Sequence, residues 1–288
     1  MDIGLNIGRF NPRGHTLRYG ENRYKMLKSQ GFDCVDLGVA NTATPFFGDL
    51  KEAEKHFIDE KRLADEAGIK IWQVHGLGHR PVKDATSEGR KENLYLTERV
   101  LRGCNIMDCK YMVMHPIMPL GDMDRLLDDN SETYRLNVEY YKEVAKLAEQ
   151  YGVIACLENM PCIDFSNSTP QHILNIVEAV DSKFLQVCLD IGHVTAYSMA
   201  HKPEDAIRLL GDKLKVLHVH DNRWGKDMHM FPQYGMINWT EVAKALGDVN
   251  FKGCFSLELD FPDGLSDELF DESFRHLVKL SKDIVKDL

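Results

Sequence analysis

Eight short apolar runs alternate with longer helical patterns along the whole 288-residue chain, and no other feature of the sequence constrains the fold as strongly. The runs are Ile3–Ile7, Cys34–Val39, Lys70–His75, Tyr111–His115, Val153–Asn159, Leu185–His193, Leu214–Asp221 and Gly253–Asp260. Helical spacing marks Asn22–Gln30, Asp49–Ala67, Glu88–Gly103, Ser131–Gln150, Pro170–Val180, Pro203–Leu210, Thr240–Leu246 and Asp267–Asp287. Start signals at Ser131, Thr169-Pro170 and Trp239-Thr240-Glu241 support several of these helices. Gly31, Gly68 and Gly152 stand where a helix should stop before a strand. Strict alternation of this kind means a parallel sheet, and eight units at this length predict one closed (β/α)8 barrel over residues 1–288. A doubly wound open sheet is the rival, but it would place a glycine-rich phosphate loop after the first strand, and NIGRFNPRG is not GxGxxG.

Composition narrows the class. With 43% hydrophobic and 28% charged residues the chain has ample material for a core. No run approaches the roughly 20 apolar residues of a membrane span. The start, MDIGLNIGRF, reads directly as a strand with no secretion signal, so a cytoplasmic protein is expected. Seven cysteines are an odd number without a CxxC pair. Cys34, Cys156, Cys188 and Cys254 lie in or beside strand-like runs and read as reduced core thiols. A net charge of −10 disfavours nucleic acid as a partner.

Four strand ends then carry chemistry: LEN with Glu158, LDIGH with Asp190 and His193, LHVHD with His218, and SLELD with Glu258. A carboxylate at the end of an apolar strand is costly to bury without a partner. Side chains alternate along a strand, so Cys156 shares a face with Glu158, Cys188 with Asp190, Val216 with His218, and Ser256 with Glu258. The small or apolar member of each pair should fill the barrel, and the polar member should stand at its mouth. The same rule sets His75 above Gln73 and His115 above Val113. The third to eighth strands would each supply one metal-ligating or acid–base group at a single rim, the face that holds active sites in such barrels. His220 does not follow the alternation and is expected to serve in packing or in support of the ligands.

Glu158, Asp190, His218 and Glu258 form the expected metal set. Three carboxylates and one imidazole without a thiolate suit one divalent ion, Mn²⁺, Mg²⁺, Co²⁺, Fe²⁺ or Zn²⁺, and no organic cofactor is expected. A metal that binds a substrate carbonyl and its neighbouring hydroxyl acidifies the intervening C–H. Glu158 and Glu258 could then remove and return the proton, which is isomerisation or epimerisation through an enediolate.

Together with DMH, which holds Asp227 and His229, these motifs resemble the xylose-isomerase-like TIM-barrel superfamily. That group includes sugar and sugar-phosphate isomerases and epimerases, inosose dehydratases, hydroxypyruvate isomerases and the endonuclease IV branch. In the ketose 3-epimerase branch the resemblance implies one metal on Glu158, Asp190, His218 and Glu258, with Glu158 and Glu258 as the acid–base pair. His193 and Arg223 would match positions that grip substrate oxygens, Arg223 only with a one-residue gap. In the endonuclease branch it implies three zinc ions. His75, His115 and Glu158 would hold one, Glu158, Asp190, His218 and Glu258 another, and His193, Asp227 and His229 the third.

The departures favour a sugar enzyme. The endonuclease pattern has Gly-Glu-Gly after the Asp-x-His motif, whereas MFPQYG follows His229 here; FPQYGMINW resembles a loop of the sugar-enzyme branch. A metal-dependent sugar or sugar-phosphate isomerase or epimerase is therefore expected. An inosose-dehydratase-type or keto-acid enzyme and a zinc phosphodiesterase remain as alternatives. His75, His115, Asp227 and His229 are expected to bind substrate or to support the ligands. The partner would be a small sugar or polyol; no membrane partner is expected, and self-association is left open. Arg9, Arg13 and Arg18 could meet a phosphate, and Trp72 and Tyr197 could be pocket walls or packing.

Overall fold

The computed structural model describes residues 1–8, 20–39, 49–78, 84, 86–118, 132–161, 169–196, 201–261 and 264–288. Eight parallel strands form one sheet: β1 (Ile3–Asn6), β2 (Cys34–Gly38), β3 (Lys70–His75), β4 (Tyr111–Met114), β5 (Ile154–Glu158), β6 (Leu185–Asp190), β7 (Leu214–His218) and β8 (Phe255–Leu257). Neighbours follow chain order from β1 to β7, and β8 pairs with β1. The bridge Val219–Leu257 joins the β7 and β8 ends, with Glu258 N donating to Val219 O at 3.0 Å, so the sheet closes into the expected (β/α)8 barrel.

Nine α-helices lie among the described residues: α1 (Arg23–Gln30), α2 (Leu50–Ala67), α3 (Ser87–Ile106), α4 (Glu132–Tyr151), α5 (Pro170–Val180), α6 (Ile191–Thr195), α7 (Pro203–Leu210), α8 (Trp239–Asp248) and α9 (Asp267–Ile284). Their ends follow side-chain chemistry. Asp49, Thr86, Thr169 and Ser266 each accept a backbone N–H of the first turn of α2, α3, α5 and α9. Gly31 and Gly68 end α1 and α2 in the left-handed region. Among the described residues no helix is long and apolar enough to cross a membrane.

Two packing layers position the site. The large core lies between strands and helices, where outward residues such as Leu157, Leu189 and Leu217 meet the apolar helix faces. A second, smaller cluster fills the barrel: Val113, Cys156, Cys188 and Val216, with Trp72, Tyr111 and Ile154 packed against it. These four are the residues two positions before His115, Glu158, Asp190 and His218, so the period-two reading of the strands holds. Trp72 belongs to this interior cluster, and its ring lies 5.6 Å from that of Tyr111. Of the two readings left open for Trp72, pocket wall or packing, the structure shows packing. The alternation of β3 is offset where Val35 pairs with Ile71 but Asp36 with Gln73.

One element differs from expectation. The run Leu185–His193 does not continue as a strand; β6 stops at Asp190 and one helical turn, α6, begins. Asp190 caps that turn by accepting the His193 N–H at 2.7 Å. The D-x-x-H spacing thus bends the chain and brings His193 back over the strand end.

Candidate active site

Glu158, Asp190 and His218 are the last residues of β5, β6 and β7, and Glu258 directly follows β8. The sheet register sets Asp190 beside His218. All four are buried, none more than 5% exposed, and one ligand atom from each lies within 4.8 Å of the others. His218 Nδ1 is 2.8 Å from Glu158 Oε1 and 3.6 Å from Glu258 Oε2. Above them opens a cavity of about 390 Å³, lined among others by Asn6, His75, His115, Glu158, His193, Asp227, His229 and Glu258.

The surrounding imidazoles share one orientation. His75 Nδ1 meets the Gly76 carbonyl at 3.1 Å, His193 Nδ1 the Asn159 carbonyl at 2.8 Å, and His229 Nδ1 the Glu258 carbonyl at 3.0 Å. A carbonyl only accepts, so each Nδ1 carries the proton, and in the neutral ring Nε2 offers its lone pair inward. His75 Nε2 and His115 Nε2 lie 3.6 and 3.2 Å from Glu158 Oε2. His193 Nε2 and His229 Nε2 lie 3.6 and 3.3 Å from Asp227 carboxylate oxygens. His229 adopts φ +44°, an uncommon conformation for a residue with a side chain, here held by the loop that aims it.

Burial alone would raise the Glu158 carboxyl, but the facing His218 charge, its hydrogen bond, and the nearby His115 and His75 imidazoles hold it well below the usual carboxylate range. Glu258 is also lowered: burial opposes this, and the charge of His218 outweighs it. Burial would lower His75, yet its contact with Glu158 raises it to about 9. The Cys188 thiol beneath is pushed up by burial to about 12, so it stays protonated and offers no thiolate.

The residues fit a divalent cation. Glu158 Oε2 and Asp190 Oδ2 are buried oxygens with no hydrogen-bond partner among the described residues. Unpaired buried carboxylate oxygens are expensive. An oxygen-rich set with one imidazole is the donor chemistry of Mn²⁺, Mg²⁺ or Zn²⁺ sites. Among the described residues three groupings meet the spacing for a cation: Glu158, Asp190, His218 and Glu258; His75, Glu158 and His218; and His193, His220, Asp227 and His229.

Two participants, Asp36 and Asn6, escaped the sequence reading, and a third, His220, was expected only in packing or in support of the ligands. Asp36 on β2 is fully buried, and its Oδ2 lies 2.9 Å from His218 Nε2. Asn6 on β1 donates to Glu258 Oε1 at 3.0 Å and to Asp36 Oδ2 at 3.2 Å. A lone charge inside the apolar run CVDLG was the available signal. His220 is completely buried, stacks on His229 at 3.9 Å, and sets Nε2 2.9 Å from Asp190 Oδ1. Gly192 makes room for it: a Cβ there would lie 2.0 Å from the His220 ring.

The loop between β7 and α8 hangs on Asp221. Its Oδ1 accepts the N–H groups of Asn222, Met236 and Ile237, and its Oδ2 accepts Trp239 Nε1 at 2.7 Å. Gly235 is required there, because a Cβ would lie 2.0 Å from Asp221 Oδ1. The loop delivers Asp227 and His229 to the cavity, whereas Arg223 is exposed with its guanidinium 6.0 Å from the Trp224 ring centre. Arg9, Arg13, Arg18 and Tyr197 lie outside the described residues.

Comparison with known proteins agrees with this architecture. The family model described as xylose isomerase-like TIM barrel matches residues 24–280. D-psicose 3-epimerase of Ruminiclostridium cellulolyticum is 27% identical over 236 residues, covering 79% of this chain and 74% of that protein. A crystal structure of D-psicose 3-epimerase with D-tagatose, from Clostridium cellulolyticum H10, superposes with a TM-score of 0.79 at 19% identity over 99% of both chains. The IOLI protein, solved with a zinc atom, superposes with a TM-score of 0.75 at 19% identity over 99% of this chain and 98% of that one. From residue pattern, barrel and family match together, the chain belongs to the xylose isomerase-like TIM-barrel family.

Proposed function

We propose that this protein is a divalent-metal-dependent isomerase or epimerase of a sugar or sugar phosphate, with Glu158 and Glu258 as its proton-transfer pair. The observation that carries the reading is that two buried glutamates, from β5 and β8, reach one cavity and flank the same imidazole nitrogen. The D-psicose 3-epimerase relative and the zinc in the IOLI structure support it.

A divalent cation on Glu158, Asp190, His218 and Glu258 would polarise a substrate carbonyl and acidify the neighbouring C–H. In the metal-free centre both glutamates are held ionised by the imidazoles around them, so either has the lone pair to accept a proton. Asn6 occupies Glu258 Oε1, which leaves Oε2 as the oxygen for a proton. In the step one glutamate, as its carboxylate, removes the proton, and the other, entering as its carboxylic acid, delivers a proton to the adjacent carbon or the opposite face, so the pair carries one proton before and after. His193 and Asp227 line the cavity where substrate hydroxyls would be gripped. The test is metal analysis of purified protein together with a ketose panel in D₂O. One divalent ion per chain and deuterium uptake next to a carbonyl are expected; a metal-free protein that exchanges no ketose overturns the reading.

A second reading rests on the extra donor groups around His75 and around His193, His220, Asp227 and His229. Three ions would make the centre one suited to phosphodiester hydrolysis. About three zinc ions per chain with nicking at apurinic sites would favour it. The net charge of −10 argues against a DNA substrate.

A further inference from the structure

Strands β3 to β8 supply the rim groups, and β1 and β2 supply the polar residues that hold them. Asp36 is fully buried, and its Oδ2 receives three donors: Asn6 Nδ2 at 3.2 Å, Gln73 Nε2 at 3.1 Å and His218 Nε2 at 2.9 Å. The two amides are themselves fixed. Asn6 Oδ1 accepts the Gly8 N–H at 2.9 Å, which turns its Nδ2 toward Asp36 and Glu258. Gln73 Nε2 also reaches the Leu217 carbonyl at 3.4 Å, the residue before His218. Asp36 is therefore clamped between β1, β3 and β7, and His218 is its ion-pair partner among the described residues.

We propose that Asp36 is a positioning residue of this centre: by accepting the His218 Nε2 proton it fixes the tautomer that turns the Nδ1 lone pair toward Glu158 and Glu258, and so raises the affinity of the site for a divalent cation. This rests on the reading of the centre as a metal site. A neutral imidazole has two tautomers, and only the one protonated at Nε2 can bind a cation through Nδ1. An anionic acceptor at Nε2 selects that tautomer, orients the ring and makes the ligating nitrogen more basic. A buried carboxylate is otherwise costly, and an amide would satisfy Asn6 and Gln73 equally well. The carboxylate at position 36 is explained by His218. The parallel His75 ring, stacked 5.3 Å from His218 at an interplanar angle of 3°, restrains rotation from the other face.

The experiment measures zinc affinity of wild type, Asp36→Asn and Asp36→Leu by chelator competition, beside their thermal unfolding. The ¹⁵N-histidine spectrum of zinc-loaded wild type is recorded in parallel, with His218 assigned by its loss in His218→Gln. Asp36→Asn keeps the shape and an acceptor but removes the charge. We expect it to bind zinc about 10–100-fold more weakly, and Asp36→Leu at least as weakly. In wild type His218 should carry its proton on Nε2. A purely structural Asp36 would lower the unfolding midpoint and leave zinc affinity of the folded variant unchanged, which overturns the proposal. A His218 protonated on Nδ1 in zinc-loaded wild type overturns it too, even if no variant folds. Wild type that binds neither zinc nor manganese overturns the metal reading itself; undiminished binding by Asp36→Asn overturns the role of Asp36 alone.

Discussion

Glu158 and Glu258 come from strands three apart around the barrel, yet both carboxylates face His218 Nδ1, at 2.8 and 3.6 Å. A cation held there would touch both, and a substrate lying over it would meet both carboxylates. The pair is asymmetric: Glu258 is tied to Asn6, and Glu158 is surrounded by His75, His115 and His218.

Glu158→Gln and Glu258→Gln each keep size and an oxygen ligand but cannot accept a proton. Turnover on the true substrate should fall by about 10²–10⁴-fold while metal is partly retained. Solvent-deuterium exchange should separate the two, since the variant lacking the base for a given substrate loses exchange at that carbon. Full metal content with near-normal turnover in both variants would refute proton transfer by these residues.

Metal binding should release protons. The metal-free centre raises His75 from 6.5 to about 9 through Glu158, so its contribution to stability is complete below about pH 6.5 and is lost as pH rises through 9. Metal-free protein should therefore weaken between pH 6.5 and 9, and metal affinity should grow over the same range as the imidazoles give up their protons. Urea unfolding of chelator-treated protein and calorimetry in buffers of different ionisation enthalpy test this. Stability rising across that window would contradict it.

Gly192→Ala adds a methyl group 2.0 Å from the His220 ring, and fully buried neighbours leave that ring little room to retreat. We expect a loss of roughly 1–3 kcal/mol on urea unfolding. Metal content should drop as well, because His220 contacts Asp190. A variant as stable as wild type would show that the turn after β6 tolerates the shift.

Asp221→Ala removes the acceptor of three backbone N–H groups and of Trp239 Nε1. Each donor left buried without a partner costs about 1–3 kcal/mol. The loop that carries Asp227 and His229 should detach first, seen as fast amide exchange at Met236 and Ile237. Unchanged protection there would rule out Asp221 as the anchor.

Strand and helix order were legible in the sequence because both follow from local rules. Hydrophobic period separates strands from helices, caps mark the ends, and alternation along each strand sorts barrel filling from rim. The cluster of Val113, Cys156, Cys188 and Val216 beneath the rim residues is the direct product of that alternation. Glu158, Asp190, His218 and Glu258 could be found the same way, since each ends an apolar run. Asp36 and Asn6 could not be assigned, and for His220 only packing or support of the ligands could be expected, not its partner Asp190. Their roles depend on which groups lie across the barrel, 182 residues away for Asp36 and His218 and 252 for Asn6 and Glu258. Closure of the sheet and the stagger of its register decide those meetings, and neither is written in any local pattern. The sequence determined which side chains face inward; only the closed barrel decided which of them share a proton, a hydrogen bond or the place for a cation, because those interactions act over about 3 Å and depend on the relative height of strands far apart in the chain.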